Sequence, residues 1–230
     1  MTKQNKGLFD IVTVFGSALI IIYAGGQFTG ENILARMGVV WIANIAMIAT
    51  VVVLQRRKGE TLANLGVGRI DWSTKGLMKL SGASLLAFVI AIVAFILGSI
   101  VMANITGIPE DADMSSYQFL AGNLPMLLLS LTGVFIASSF GEELVYRGFL
   151  ISRIEEALGD NKQALIWAVV LSSIVFGLAH YTWGPMGMVQ TAFMGGALGI
   201  SWIRAKRNLW VVIFAHAYMD FILMLQMYLA

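Results

Sequence analysis

The stretch Gly141-Glu142-Glu143-Leu144-Val145-Tyr146-Arg147-Gly148 places two adjacent carboxylates and a guanidinium inside a sequence that is otherwise strongly apolar. Apolar triplets lie on both sides of it, at 134–136 and at 149–151. Ionisable groups in such surroundings are costly, so each indicates a functional site. The chain has two histidines, and both His180 and His216 follow apolar runs. These groups together predict one buried polar site.

The composition indicates an integral membrane protein. Of the 230 residues, 58% are hydrophobic and 12% are charged, about half of the roughly 25% charged share of soluble domains. A formal net charge of +2 is too small to indicate nucleic acid as a partner. The sequence contains no cysteine, which excludes disulfides, thiolate metal ligands and a thiol nucleophile. We expect a single integral membrane domain over residues 1–230.

Seven apolar runs are long enough to span a bilayer, which takes about 20 residues. They predict an all-α, polytopic bundle of seven transmembrane helices near 8–25, 33–54, 76–103, 119–145, 163–180, 185–203 and 209–229. The first run follows a basic amino terminus and is interpreted as a retained signal anchor. Residues 55–75 are interpreted as a cytoplasmic loop lying against the membrane surface.

The charges of the connections alternate along the chain. Basic residues follow the second, fourth and sixth runs, namely Arg56, Arg57, Lys58, Arg69, Lys75, Arg153, Lys162, Arg204, Lys206 and Arg207. The connection after the third run carries acidic residues instead, namely Glu110, Asp111 and Asp113. Because lysine and arginine favour the cytoplasmic side, we expect a cytoplasmic amino terminus and an outside carboxyl terminus.

Three polar positions fall at similar depths. In a hairpin that turns near Gly159-Asp160, Glu142 lies 17 residues before the turn and His180 lies 20 residues after it. At 1.5 Å per residue the two differ in height by about 5 Å. His216 lies about 12 Å into the seventh helix. These depths predict one site in the cytoplasmic half of the bilayer.

Helical periodicity pairs the polar groups. Three pairs of residues four apart share a helix face: Glu143 with Arg147, Phe176 with His180, and His216 with Asp220. Glu142 points about 100° away from Glu143 in an α-helix, toward a cavity. Pro185 and Gly184 break the chain after His180, and glycines 195, 196 and 199 form a small-residue face suited to close packing.

A carboxylate and an imidazole at one depth can activate a water molecule. Glu142 is the candidate general base, and His216 with Asp220 could stabilise an oxyanion. No serine nucleophile is required, and Ser138, Ser139 and Ser172 have no evident base at a suitable spacing.

The ordered motifs resemble the CAAX protease and bacteriocin-processing family of intramembrane endopeptidases, which includes the Ras-converting prenyl endopeptidases. They are Glu-Glu-x-x-x-Arg at 142–147, Phe-x-x-x-His at 176–180 and His-x-x-x-Asp at 216–220. The resemblance covers roughly residues 119–225. It implies that Glu142 and His180 activate water, that His216 and Asp220 bind the oxyanion, and that Glu143 and Arg147 support the site.

The resemblance leaves the cofactor open at one position. The family often has asparagine where this chain has Asp220, and a carboxylate donates a hydrogen bond only when protonated. Asp220 therefore either orients His216 or is a metal ligand. The favoured mechanism needs no metal, and the alternative is zinc held by His180, His216 and Asp220.

The sequence supports two classes of function. The first is an intramembrane endopeptidase of a bacterial cell membrane that cleaves a membrane-associated protein or peptide. Its site would open to the cytoplasmic side, and its role would be peptide or bacteriocin maturation or immunity. The second is a non-catalytic scaffold or a proton-coupled transporter, because buried acid and histidine chains also relay protons.

Overall fold

The computed structural model describes residues 3–107 and 115–230. This part of the chain contains seven helices that are long and apolar enough to cross a membrane, as predicted. They are α1 (Lys3–Thr29), α2 (Ile33–Arg57), α3 (Thr74–Thr106), α4 (Leu124–Leu158), α5 (Lys162–Ala179), α6 (Gly184–Arg204) and α7 (Leu209–Leu229). Short 3₁₀ helices occupy Leu62–Leu65, Ser115–Leu120 and Tyr181–Trp183. The acidic residues Glu110, Asp111 and Asp113 lie outside the described residues.

Polar side chains define where most of these helices begin. The side chains of five residues accept hydrogen bonds from backbone N–H groups of the first helical turn, namely Asn32, Ser73, Asn123, Asn161 and Asn208. Such caps satisfy amides that have no partner within the helix. In an apolar sequence these four asparagines and one serine therefore mark the helix starts.

The fourth helix is longer than the predicted span 119–145 and begins later, at Leu124. It continues past the expected end because its charged residues are buried in ion pairs instead of projecting into solvent. Arg153, 4% exposed, contacts Asp10 of α1 at 3.4 Å and donates to Gln55 of α2. Glu155 accepts from Arg207 at 2.7 Å. The helix ends at the predicted turn, where Gly159 has a φ of 110°.

These ion pairs bring the basic connections to one end of the bundle. Lys58, which follows α2, lies 2.7 Å from Asp10 near the start of α1. Arg207, between α6 and α7, pairs with Glu155 near the end of α4. We call this end, which holds the amino terminus and the α2–α3, α4–α5 and α6–α7 connections, the basic end.

The α2–α3 connection packs against other parts of the protein more closely than expected for a loop at residues 55–75 that lies against the membrane surface. Leu65 is 2% exposed, and the carbonyl of Gly66 accepts a hydrogen bond from the Leu209 amide at 2.9 Å. The indole of Trp210 donates to the Gly68 carbonyl at 2.7 Å. The loop therefore holds the first turn of α7 in place beneath the site residues of that helix.

The central part of α4 has π-helical turns. They cover Phe135–Phe140 and Glu143–Ile151. A π turn bonds residue i to i+5 and is frequent at functional sites. The regular α-helical angles used for the sequence prediction do not hold here, and the wider turns present the polar side chains of α4 to α7.

Small residues allow α6 to pack closely on its neighbours. A Cβ on Gly177 of α5 would lie 2.8 Å from the Ala192 Cβ, and one on Gly98 of α3 would lie 3.0 Å from the Gln190 Cα. The side chain of Gln190 donates to Ser99 at 2.8 Å. Close contact between α5 and α6 keeps His180, at the end of α5, beside the bundle interior.

Candidate active site

Glu143 is the central carboxylate of a buried polar cluster. It is fully buried, and its Oε1 accepts a hydrogen bond from Arg147 Nη1 at 2.9 Å, as the i,i+4 spacing predicts. The same oxygen lies 2.8 Å from His216 Nδ1 on α7. A carboxylate only accepts, so Nδ1 donates and the proton on that nitrogen is assigned. Glu143 thus joins α4 to α7 as well as binding the arginine.

His216 is held between two carboxylates. It is 4% exposed, and its Nε2 lies 3.8 Å from Asp220 Oδ1 on the same face of α7, as predicted. The opposite nitrogen contacts Glu143. Asp220 Oδ1 is too far from Nε2 for a hydrogen bond, but its negative charge favours a proton on that nitrogen, which could then be donated into the site.

Two serines of α4 contact the α7 pair. Ser139, 1% exposed, donates to Asp220 Oδ2 at 2.6 Å, a length typical of a hydroxyl on an ionised carboxylate. Ser138 Oγ lies 3.5 Å from His216 Nε2. Residue spacing relates Ser138 to no partner, and helix packing brings it to a histidine that is 78 positions away.

His180 caps the end of α5, where three contacts hold its ring. Its Nδ1 donates to the Phe176 carbonyl at 2.9 Å, so Nε2 is the ring nitrogen not engaged by that contact. The Phe176 ring lies 4.8 Å away edge-on, as the i,i+4 spacing predicts, and the Trp183 ring lies 5.0 Å away. The orientation suits a histidine that binds a water through Nε2.

Phe176 connects the two histidines and the arginine. The Arg147 guanidinium lies 4.2 Å above the Phe176 ring, and the His216 ring lies 6.4 Å from it. Gly195 of α6 allows this stacking, because a Cβ there would lie 3.0 Å from Phe176 Cδ1 and 3.3 Å from Arg147 Nη2. The small-residue face of α6 thus has a role in the site as well as in packing.

Glu142 and Glu143 each have a buried Oε2 without a hydrogen-bond partner among the described residues, but only Glu143 is held through its other oxygen, by Arg147 and His216. The charged and ionisable groups near enough to Glu142 to act on it electrostatically are His180, His216, Asp220 and Arg147. A buried oxygen of this kind needs a donor, and a water or a substrate amide could supply it.

Tyr117 and Trp183 border the site, and the sequence analysis did not identify either as part of it. They share a hydrogen bond in which the indole N–H donates to the phenol oxygen. Burial, with the nearby charge of Asp220, raises the pKa of Tyr117, so its hydroxyl stays protonated. Tyr117 lies in the α3–α4 connection, and no spacing rule relates it to α5 and α7.

The donors proposed for zinc do not converge on one point. Because Nδ1 of His216 is engaged by Glu143 and Nδ1 of His180 by the Phe176 carbonyl, only Nε2 of each ring could bind a metal ion, as in many zinc-binding histidines. Within residues 3–107 and 115–230 no group of three or more His, Cys, Asp or Glu side chains could hold a metal ion. Asp220 instead contacts His216 and Ser139, which favours the orienting role.

A seven-helix bundle with a buried cluster of carboxylates and histidines fits a polytopic membrane hydrolase. The family model described as "Type II CAAX prenyl endopeptidase Rce1-like" matches residues 123–222. The chain is a multi-pass membrane peptidase that is similar to this family over the matched residues, which make up less than half of its length and include the candidate site. This similarity favours the endopeptidase prediction over the scaffold and the transporter.

A relative described as a membrane peptidase is similar to most of the chain. "Putative membrane peptidase YdiL" of Bacillus subtilis (strain 168) is 29% identical over 222 residues, which cover 92% of this chain and 84% of the relative. No solved structure is significantly similar to the chain.

Proposed function

We propose that this peptidase hydrolyses a peptide bond of a membrane-associated protein or peptide with a water molecule activated by Glu142 and His180. The observation that carries the proposal is the buried Oε2 of Glu142, which has no hydrogen-bond partner in the described part of the chain and lies in the electrostatic environment of both histidines. A buried carboxylate oxygen without a partner can accept a hydrogen bond from a water and act on it as a general base.

The proposed reaction proceeds without a covalent intermediate. Glu142 takes a proton from the water as the water oxygen attacks the scissile carbonyl carbon, and His180 Nε2 orients that water. His216 Nε2 donates a hydrogen bond to the carbonyl oxygen as it becomes an oxyanion, an interaction worth a few kcal/mol. When the C–N bond breaks, Glu142 passes its proton to the leaving amine.

The surrounding groups hold this arrangement. Arg147 neutralises Glu143 in a pair that is 1% and 0% exposed, and Glu143 in turn fixes His216. Because the pair is buried, its charges are screened little by solvent. Arg147 and His216 therefore hold Glu143 in place, while Glu142 is left to exchange a proton with the water.

We place the basic end on the cytoplasmic side, with the amino terminus, because lysine and arginine favour that side. The ion pairs of Lys58 and Arg207 with Asp10 and Glu155 collect this charge at one end of the bundle. The site would then lie in the cytoplasmic half of the bilayer. Processing of a bacterial peptide, such as a bacteriocin, or immunity to one fits this placement.

Two reporters test the activity in purified, nanodisc-embedded protein. One is an internally quenched farnesylated CAAX peptide, and the other is an unprenylated quenched peptide with one membrane-spanning segment. Glu142→Ala and His180→Ala should abolish cleavage with unchanged thermal unfolding, and Ser17→Ala on α1 should cleave as wild type. A zinc chelator should leave the rate unchanged. Retained cleavage by Glu142→Ala would refute the role of this residue.

A further inference from the structure

Ser138 is a polar group at the site that the proposed reaction does not use. Its Oγ lies 3.5 Å from His216 Nε2, on the side of the ring opposite Glu143. The side chain is partly exposed, unlike that of Ser139. Ser138 therefore presents a hydroxyl beside the nitrogen that would donate to the oxyanion.

Ser138, His216 and Glu143 are arranged like the nucleophile, the base and the orienting acid of a catalytic triad. The two contacts are 3.5 Å and 2.8 Å, and such distances are often long before substrate binds. A nucleophilic serine would need His216 as a neutral base with a lone pair on Nε2. That lone pair would face the Asp220 carboxylate at 3.8 Å, which is repulsive.

Ser139 keeps Asp220 in its acceptor form. The hydroxyl donates to Asp220 Oδ2 at 2.6 Å, and an ionised carboxylate has no proton to give. Asp220 then stabilises a proton on His216 Nε2 and cannot itself donate to an oxyanion. An oxyanion site normally has more than one donor, so a second donor must come from another residue.

The geometry points to Ser138 as a catalytic residue that donates its hydroxyl proton to the oxyanion together with His216 Nε2, while Ser139 and Asp220 position His216. This inference rests on the proposed function, in which water attacks the carbonyl. The hydroxyl forms no covalent bond with the substrate. It donates a hydrogen bond as the carbonyl oxygen gains charge and retains its proton when the C–N bond breaks.

The test compares Ser138→Thr with Ser138→Val, which differ by a hydroxyl and have nearly the same shape, alongside Ser138→Ala. Loss of one oxyanion donor typically lowers kcat by about 10²–10³-fold. We expect that loss in the valine and alanine variants with KM unchanged, and a threonine variant within about tenfold of wild type. Ser17→Ala on α1, whose hydroxyl bonds within its own helix, is the matched control.

A phosphinate analogue of each reporter peptide separates this role from a structural one, because its tetrahedral anion imitates the oxyanion. Ser138→Val should weaken phosphinate binding by the same factor as kcat, with uncleaved peptide bound as before. Equal kcat and phosphinate affinity in Ser138→Thr and Ser138→Val would overturn the inference. A burst of product with fluorophosphonate labelling at Ser138 would also overturn it, in favour of a nucleophile.

The same measurements distinguish failure of the wider mechanism. Phosphinate binding needs no water activation, so it can be measured in Glu142→Ala. If Glu142→Ala still cleaves the reporters, the proposal that Glu142 activates the water is wrong. The comparison of phosphinate binding still decides the role of Ser138 in that case.

Discussion

Glu143 Oε1 lies 2.8 Å from His216 Nδ1, so a carboxylate of α4 fixes the ring orientation of a histidine 73 positions later on α7. The same oxygen is 2.9 Å from Arg147. The arginine thus acts on the histidine through one shared acceptor. This relationship makes the first glutamate of the pair available for proton transfer while the second holds the opposite side of the site.

Replacing Arg147 with leucine should destabilise the protein strongly. The variant leaves Glu143 as an uncompensated buried charge, and removing one partner of a buried pair costs about 3–5 kcal/mol. Thermal unfolding in detergent measures the effect. Arg36→Leu is the matched control, because its pair with Glu31 is solvent-exposed and should contribute little. Equal unfolding temperatures for the two variants would contradict the prediction.

Asp220→Asn should keep most of the activity, whereas Asp220→Leu should lose it. Asparagine can accept the Ser139 hydroxyl, now 2.6 Å from Asp220 Oδ2, and can also donate from its amide. Leucine leaves Ser139 and His216 unpartnered on that side. A charged hydrogen bond is worth about 1.5–3 kcal/mol, so we expect kcat to fall by about 10- to 100-fold. If the leucine variant cleaves both reporters normally, Asp220 does not position His216.

Gly195→Ala should lower activity more than Gly196→Ala. A Cβ at 195 would lie 3.0 Å from the Phe176 ring and would move the ring that packs on His180. At Gly196 the nearest atom would be Ser173 Oγ at an ordinary 3.4 Å. Misplacement of a catalytic group by up to 1 Å can cost about 10²-fold in rate. The rates of peptide cleavage by the two variants at matched expression check the difference.

Gly66→Ala should destabilise the docking of the α2–α3 connection on α7. Gly66 has a φ of 100°, and a Cβ there would lie 2.2 Å from the Arg207 carbonyl oxygen. The left-handed conformation alone costs a non-glycine residue roughly 1–2 kcal/mol, and the clash adds to it. Gly68→Ala is the control, since a Cβ there has no neighbour within 4 Å among the described residues. Limited proteolysis of the connection should accelerate in the first variant alone.

The sequence determined those features that depend on neighbours along the chain. Apolar length predicted the seven helices, and i,i+4 spacing predicted the pairs Phe176–His180 and His216–Asp220, because these follow from α-helix geometry alone. The predicted pair Glu143–Arg147 also forms, although both residues lie in a π-helical stretch.

Only the tertiary structure decided the contacts between helices. Ser139 meets Asp220, Ser138 meets His216, and Tyr117 meets Trp183 because of how α4, α5 and α7 pack. The π turns of α4 also rotate its side chains away from α-helical positions. The sequence places charged residues in apolar segments, and the packing of those segments decides which side chains each charged residue contacts. The physical reason is that residue spacing sets distances within one helix, whereas helix packing sets distances between helices.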